Sequence, residues 1–202
     1  MPHISLPEGV PGIVSLFVRF PDTQGPLYAL AQTLLRGPSS LSPAEREMIA
    51  AYVSERNGCV FCAESHSAAA RHLLGAGAGA GAGGGGGGGG GAAEVDLVRL
   101  HGERSPVGGK MRALLAIADR VRDGGHAVST EDIARARAEG ADDRAIHDTV
   151  LVAAAFCMYN RYVDGLATWQ PTDPEAYREI GVELAERGYQ ASRAPAPASR
   201  LT

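Results

Sequence analysis

Residues 75–93, GAGAGAGAGGGGGGGGGAA, hold 13 of the chain's 27 glycines, nine of them consecutive from Gly83 to Gly91. Glycine loses more backbone freedom on ordering than any other residue, so such a tract reads as a flexible surface linker and splits the chain into two independently patterned stretches. A phosphate-binding loop is the competing reading, but no preceding strand and no following Gly-Lys-Ser/Thr support it. On both sides of the tract the apolar residues recur at helical spacing. In GKMRALLAIADRVRDGG, Met111, Leu114, Leu115, Ala118 and Val121 share one face. Aromatics make up 5% of a chain that is 45% hydrophobic, which suits close helix packing through small residues and not a Val- and Tyr-rich sheet. The fold class expected is therefore all-α.

Start and stop signals place the helices. SPAEREMIAAYVSERNG carries Ser42 as N-cap, Pro43 in the first turn, Glu45 closing a capping box and Gly58 as the stop. A helix from about Leu27 to Leu35 is expected before it, and one from Cys59 to Leu74 after it. Further helices are expected after Ser129 or Thr130, after Asp142 and after Asp173. The one starting after Asp142 is apolar all round at its centre and reads as central and buried. Pro2, Pro7, Pro11 and Pro21 make residues 1–25 read as an extended or turn-rich arm. The stretch from Tyr189, YQASRAPAPASRLT, reads as an unstructured tail. The organisation expected is one catalytic domain, 1–191, interrupted by the linker at 75–93, with 192–202 disordered.

Charge and composition narrow the function classes. Nineteen Lys plus Arg against 23 Asp plus Glu, with no basic run, give nucleic acid no electrostatic footprint. No stretch approaches the roughly 18–20 apolar residues of a membrane span. The first residues lack the pattern of a secretory leader, so a cytoplasmic protein is expected. Three cysteines in that compartment are more readily reactive or metal-binding than a disulfide framework.

Chemistry concentrates in NGCVFCAESHSAAARHLLG, residues 57–75. With about 100° per helical residue, Cys62 stands near 300° and His66 near 340° relative to Cys59, so all three project on one face. Cys59 opens the helix, where free N–H groups and the helix dipole favour a thiolate, so the residues by themselves prefer Cys59 for the lowest pKa. His66, one turn beyond Cys62, is placed to take or relay a proton. Three readings compete. A structural zinc site wants four ligands and finds three, because His72 falls on another side. A buried inert pair explains one cysteine but not the second with its histidine. A redox dithiol, in which one thiolate is oxidised and its neighbour forms the disulfide, uses all three residues. Glu45 reads as a cap, and Glu47 lies beside the apolar stripe of Met48, Ile49, Tyr52 and Val53. Cys157 reads as a packed thiol, and His72, His101, His126 and His147 have no partner in sequence. Asn160 and Arg161 read equally as a tie to the N-terminal arm or as a functional pair. Trp169 reads as covering a core or subunit edge.

These residues resemble the alkyl hydroperoxidase D-like branch of the carboxymuconolactone decarboxylase superfamily, in particular its peroxidase-related members. Its pattern is a Glu about a dozen residues before CxxCxxxH, and here Glu47 stands 12 positions before Cys59, followed by Cys62 and His66. The resemblance extends from LPEGVPGI through RGPSSLSPAEREMIAAYVSERNGCVFCAESH to AAFCMYNRYVDGLA. It implies an alkyl hydroperoxidase D-like helical fold, thiol-dependent reduction of hydroperoxides, an external thiol as reductant, assembly into homo-oligomers, and no metal, haem or flavin. It further implies Cys62 as the attacking thiol, Cys59 as the resolving one, and Glu47 with His66 as a proton relay. Against the residue-level preference, the resemblance thus assigns the first attack to Cys62. Some members carry a His immediately before the second cysteine, where this chain has Phe61.

Overall fold

A computed structural model describes residues 1–77 and 90–189. Among these, the regular elements are helical: α1 Gly12–Arg19, α2 Pro21–Arg36, α3 Pro43–Arg56, α4 Val60–Gly77, α5 Gly90–His101, α6 Gly109–Asp123, α7 Thr130–Ala138, α8 Asp143–Gly165 and α9 Pro174–Arg187, with short 3-10 turns at Gly102–Arg104 and Gly125–Ala127. The all-α expectation holds.

The capping signals are realised in detail. Ser42 Oγ accepts from the Glu45 N–H at 3.2 Å while the Glu45 carboxylate accepts from the Ser42 N–H at 2.7 Å. Ser129 and Asp132 repeat this box at α7, Asp142 accepts from the Ala145 N–H at α8, and Asp173 accepts from the Glu175 N–H at α9. Each such cap satisfies an amide that the helix leaves free, worth about 1 kcal/mol.

The N-terminal arm departs from expectation. Residues 12–19 form α1, burying Leu16 and Phe17, and α2 begins at Pro21, six residues earlier than predicted. The prolines mark helix entries here. Pro11 directly precedes α1 in an extended conformation and Pro21 occupies the first turn of α2, where its missing N–H costs nothing. Around the glycine tract the helices also run further than expected, since α4 continues to Gly77 and α5 starts at Gly90. The rest of the expected linker, 78–89, lies outside the described residues, as does the expected tail from 190.

The principal core joins α2, α3, α6 and α8 through Leu35, Ile49, Val53, Leu114, Ile117, Val152 and Phe156, all at or near zero exposure. Each large side chain so buried contributes about 1.5–3 kcal/mol. Helix α8 is central, as expected, but not enclosed, because Leu151 and Met158 remain exposed. Asn160 ties α8 to the end of α3, donating to Ser54 Oγ at 3.0 Å and accepting from Asn57 at 2.8 Å. Among the described residues Arg161 hydrogen-bonds within its own helix, to the Cys157 carbonyl. Trp169 is half exposed, and its carbonyl accepts from the Gly12 N–H at 2.8 Å.

Two features position the reactive hairpin. Helices α3 and α4 are joined only by Asn57, Gly58 and Cys59, which forces them to pack antiparallel and face to face. Helix α9 lies against α4 so closely that a Cβ on Gly181 would stand 2.4 Å from the Ala68 Cβ.

Candidate active site

The antiparallel hairpin brings Glu47 of α3 opposite His66 of α4. At about 1.5 Å per residue, both lie a few turns from the connection, at nearly the same height. Glu47 Oε2 meets His66 Nδ1 at 2.7 Å. The other carboxylate oxygen is ion-paired with Arg36, 2.7 Å from Nη2, and accepts from the Tyr189 hydroxyl at 2.8 Å. Tyr189 Oη also lies 3.2 Å from His66 Nδ1. Glu47 is fully buried. Burial alone would lift its pKa, but His66 first, then Arg36 and the Tyr189 hydrogen bond, outweigh it and hold the carboxyl below its ordinary value. The ionised carboxylate fixes the imidazole with Nδ1 toward Glu47, and this network assigns Nε2 as the nitrogen left for other chemistry. The edge of Phe156, 4.6 Å between ring centroids at 89°, holds the ring plane.

Neither Arg36 nor Tyr189 was singled out from the sequence. Arg36 ends α2 just before Gly37-Pro38 and reads there as a cation suited to a helix C-terminus. Tyr189 follows Gly188 at the start of the stretch expected to be tail, yet it is buried, with 7% of its surface exposed. Its N–H donates to Gln32 Oε1 at 2.8 Å, and its ring lies under the Arg36 guanidinium at 5.3 Å. Burial and the facing Glu47 carboxylate push its hydroxyl well above the ordinary phenol value, so it stays a proton donor.

Cys62 and His66, one turn apart on α4, both line a cavity of about 90 Å³. Its walls come from α1 (Ile13, Val14, Phe17), α2 (Leu27, Tyr28, Ala31), α8 (Phe156, Tyr159) and α9 (Ile180, Leu184), so α1 and α2 roof the reactive face of α4. At about 30 Å³ per water, the volume admits roughly three waters or one small organic molecule. Among the described residues no lysine or arginine lines it.

Cys59 does not line the cavity. It precedes α4, its carbonyl accepting from the Ala63 N–H at 2.9 Å, and it packs with Cys62, Phe61, Val163 and Tyr177 in a second apolar cluster. The expectation that Cys59 has the lowest pKa is reversed. Its thiol is pushed far up, first by the hydrogen bond with Cys62 and then by burial, and these outweigh the Cys62 backbone N–H, which acts the other way. The helix-terminus argument fails because a sulfur at zero exposure that already shares a proton with its neighbour gains little from the free amides. Asp164, near the end of α8, stands within hydrogen-bond reach of Cys59, and burial pushes its own carboxyl up. Nothing in the sequence marks Asp164, which lies a whole domain's length from the motif.

Phe61 is buried between the cavity and Tyr177, 6.2 Å between ring centroids. Gly12 faces it at φ +53°, and any Cβ there would come within 2.1 Å of the ring, so a glycine is required by backbone and by space. Cys157 is half-buried and accepts weakly from Asn57 at 3.6 Å. His72 faces Glu186 at 3.4 Å and His147 faces Asp148 at 2.9 Å. Among the described residues no group of three or more His, Cys, Asp or Glu side chains is arranged to hold a metal. No helix of the described residues is long and apolar enough to cross a membrane.

Residues 21–77, from α2 to the end of α4, match the carboxymuconolactone decarboxylase family and include Glu47, Cys59, Cys62 and His66. The structure is similar to that of an uncharacterized peroxidase-related protein from Silicibacter sp. TM1040, with a TM-score of 0.68 and 25% identity over 84% of this chain and 79% of that one. Over α2 to α4 the chain is thus similar to the carboxymuconolactone decarboxylase family, and its fold is similar to that of a peroxidase-related protein. The same fold is seen in an alkylhydroperoxidase AhpD core, an uncharacterized peroxidase-related protein from Ralstonia eutropha JMP134, with a TM-score of 0.68 and 22% identity over 85% of this chain and 80% of that one. No curated protein matches.

Proposed function

We propose that this protein is a thiol-dependent peroxidase of the alkyl hydroperoxidase D-like, carboxymuconolactone decarboxylase superfamily that reduces organic hydroperoxides through Cys62 and Cys59. The observation that carries the reading is the placement of Cys62 beside His66 in an apolar cavity, with His66 anchored by the buried Glu47 carboxylate. His66 Nε2 takes the Cys62 proton, and the thiolate attacks the terminal peroxide oxygen. The S–O bond forms as the O–O bond breaks, the sulfur is oxidised to a sulfenic acid, and the alkoxide receives the proton from His66 and leaves as the alcohol. Cys59 then attacks the Cys62 sulfur, its proton passing to the departing hydroxide, so that water and a disulfide result. An external thiol returns the disulfide to the dithiol. The division of labour follows the geometry, since Cys62 faces the cavity while Cys59, outside it, is held protonated against Cys62 until a sulfenic acid is there to attack.

A decarboxylase of the same superfamily acts on a carboxylate. Among the described residues the cavity lining is aliphatic and aromatic beside Cys62, Ser65 and His66, with no lysine or arginine, which favours the neutral hydroperoxide over such an anion. Steady consumption of tert-butyl hydroperoxide with a dithiol donor tests the reading. Cys62→Ser should reduce it to background. Cys59→Ser should allow one oxidation and then leave a Cys62 sulfenic acid that dimedone traps. Turnover that survives Cys62→Ser would contradict the proposal.

A further inference from the structure

Four buried side-chain polar atoms have no hydrogen-bond partner among the described residues: Arg36 Nε, Ser65 Oγ, Ser67 Oγ and Thr168 Oγ1. Of these, only Ser65 lines the cavity. It is 2% exposed and stands on α4 between Cys62 and His66, so the three follow i, i+3, i+4 spacing and share a face. A serine inside a helix has an easy partner in the carbonyl one turn back, and Thr149 and Ser15 use such bonds at 2.8 and 2.7 Å, whereas Ser65 does not. Of the cavity's tyrosine hydroxyls, Tyr159 donates to the Leu27 carbonyl and Tyr189 to Glu47, while Tyr28 comes from α2 in the roof and not from the face of α4 that carries Cys62. A buried hydroxyl without a partner is costly, and in an otherwise aliphatic and aromatic cavity it is available only to whatever fills that cavity.

We propose that Ser65 is the substrate-oxygen ligand of this site. Resting on the peroxidase reading, it donates its O–H to the internal oxygen of a small apolar hydroperoxide, whose hydrocarbon body lies among the side chains of α1, α2 and α9. As the Cys62 sulfur bonds to the terminal oxygen and the O–O bond breaks, negative charge gathers on that internal oxygen, and the hydroxyl stabilises it before His66 delivers the proton. A fixed donor acts strongly in so apolar a space, and it holds the O–O axis in line with the sulfur.

The test is the single-turnover oxidation of Cys62 by tert-butyl hydroperoxide in the wild-type protein and in Ser65→Ala. It is read beside the rate and pH profile of Cys62 alkylation by iodoacetamide and the thermal midpoint. Ser65→Ala should slow oxidation at least about tenfold, leave alkylation and its pH profile unchanged, and leave the thermal midpoint at or above the wild-type value, because the hydroxyl it removes has no protein partner. Equal oxidation rates in the two proteins overturn the proposal. So does a parallel fall in alkylation or in the midpoint, which would make Ser65 structural. If the wild-type protein is not oxidised, the peroxidase reading fails by itself, and titration with tert-butanol decides the rest. Stabilisation of the wild type but not of Ser65→Ala retains Ser65 as the ligand of an oxygen-bearing guest, and equal responses overturn it.

Discussion

Two buried carboxylates in this molecule have nearly the same partners. Glu47 is bonded by Arg36, His66 and the Tyr189 hydroxyl. Asp148, with a side chain 3% exposed, is bonded by Arg144 at 2.8 Å, His147 at 2.9 Å and the Ser39 hydroxyl at 2.5 Å. In both, burial alone would raise the pKa and the partners bring it below the ordinary value. The difference lies in what the histidine faces. The His147 side chain, next to Asp148 on α8, is 62% exposed and faces solvent, while His66 is buried and lines a cavity that also holds a thiol. An arginine, a histidine and a hydroxyl around a carboxylate therefore do not make a site. A nucleophile and an apolar cavity beside them do.

The comparison can be broken most easily through activity. Glu47→Gln should lower hydroperoxide reduction by about 10²–10⁴-fold, the usual range for general acid–base assistance, while Asp148→Asn should leave it unchanged in the same assay. Equal losses in the two variants would erase the distinction. Next in size is stability. Tyr189→Phe takes a hydrogen bond from a buried carboxylate and should cost about 1.5–3 kcal/mol in denaturant unfolding. Asp148→Asn should cost about 1–3 kcal/mol, since its cationic partners are half exposed and stay hydrated. The pH dependence sharpens the comparison with a smaller effect. Because the folded pKa of Glu47 lies below its ordinary value of 4.5, its contribution is complete above that value and is lost as the pH falls through the lowered folded pKa. Acid unfolding should therefore be less steep for Glu47→Gln than for the wild type, and a steeper curve would put the shift in the opposite direction.

The sequence made the scaffold legible where local chemistry decides local structure. The Ser42–Glu45 box, Pro43 and the Asp caps act within one turn, so α3, α8 and α9 start where their residues say they should. Prolines were misleading in residues 1–25, because a proline opens a helix as readily as it prevents one, and only burial of Leu16 and Phe17 decides between the two. The motif placed Glu47, Cys62 and His66 together because a three-residue connection leaves the hairpin little freedom. Arg36, Tyr189 and Asp164 were illegible for the converse reason. They reach the site from α2, from beyond α9 and from α8, and no spacing rule joins residues that only the tertiary fold brings together. Cys59 shows the same limit in its chemistry. Its position at a helix start predicted an easily ionised thiol, and what reverses this is first the hydrogen bond with Cys62 and then burial against Val163 and Tyr177, far along the chain.

The account rests on Cys62 and Cys59 being a reactive pair, and peptide mapping by mass spectrometry after one equivalent of an organic hydroperoxide tests it most directly. The fully reduced protein should yield a peptide in which Cys59 and Cys62 are linked, with Cys157 still a free thiol. Reduced thiols at both positions in a protein that remains folded would contradict the account.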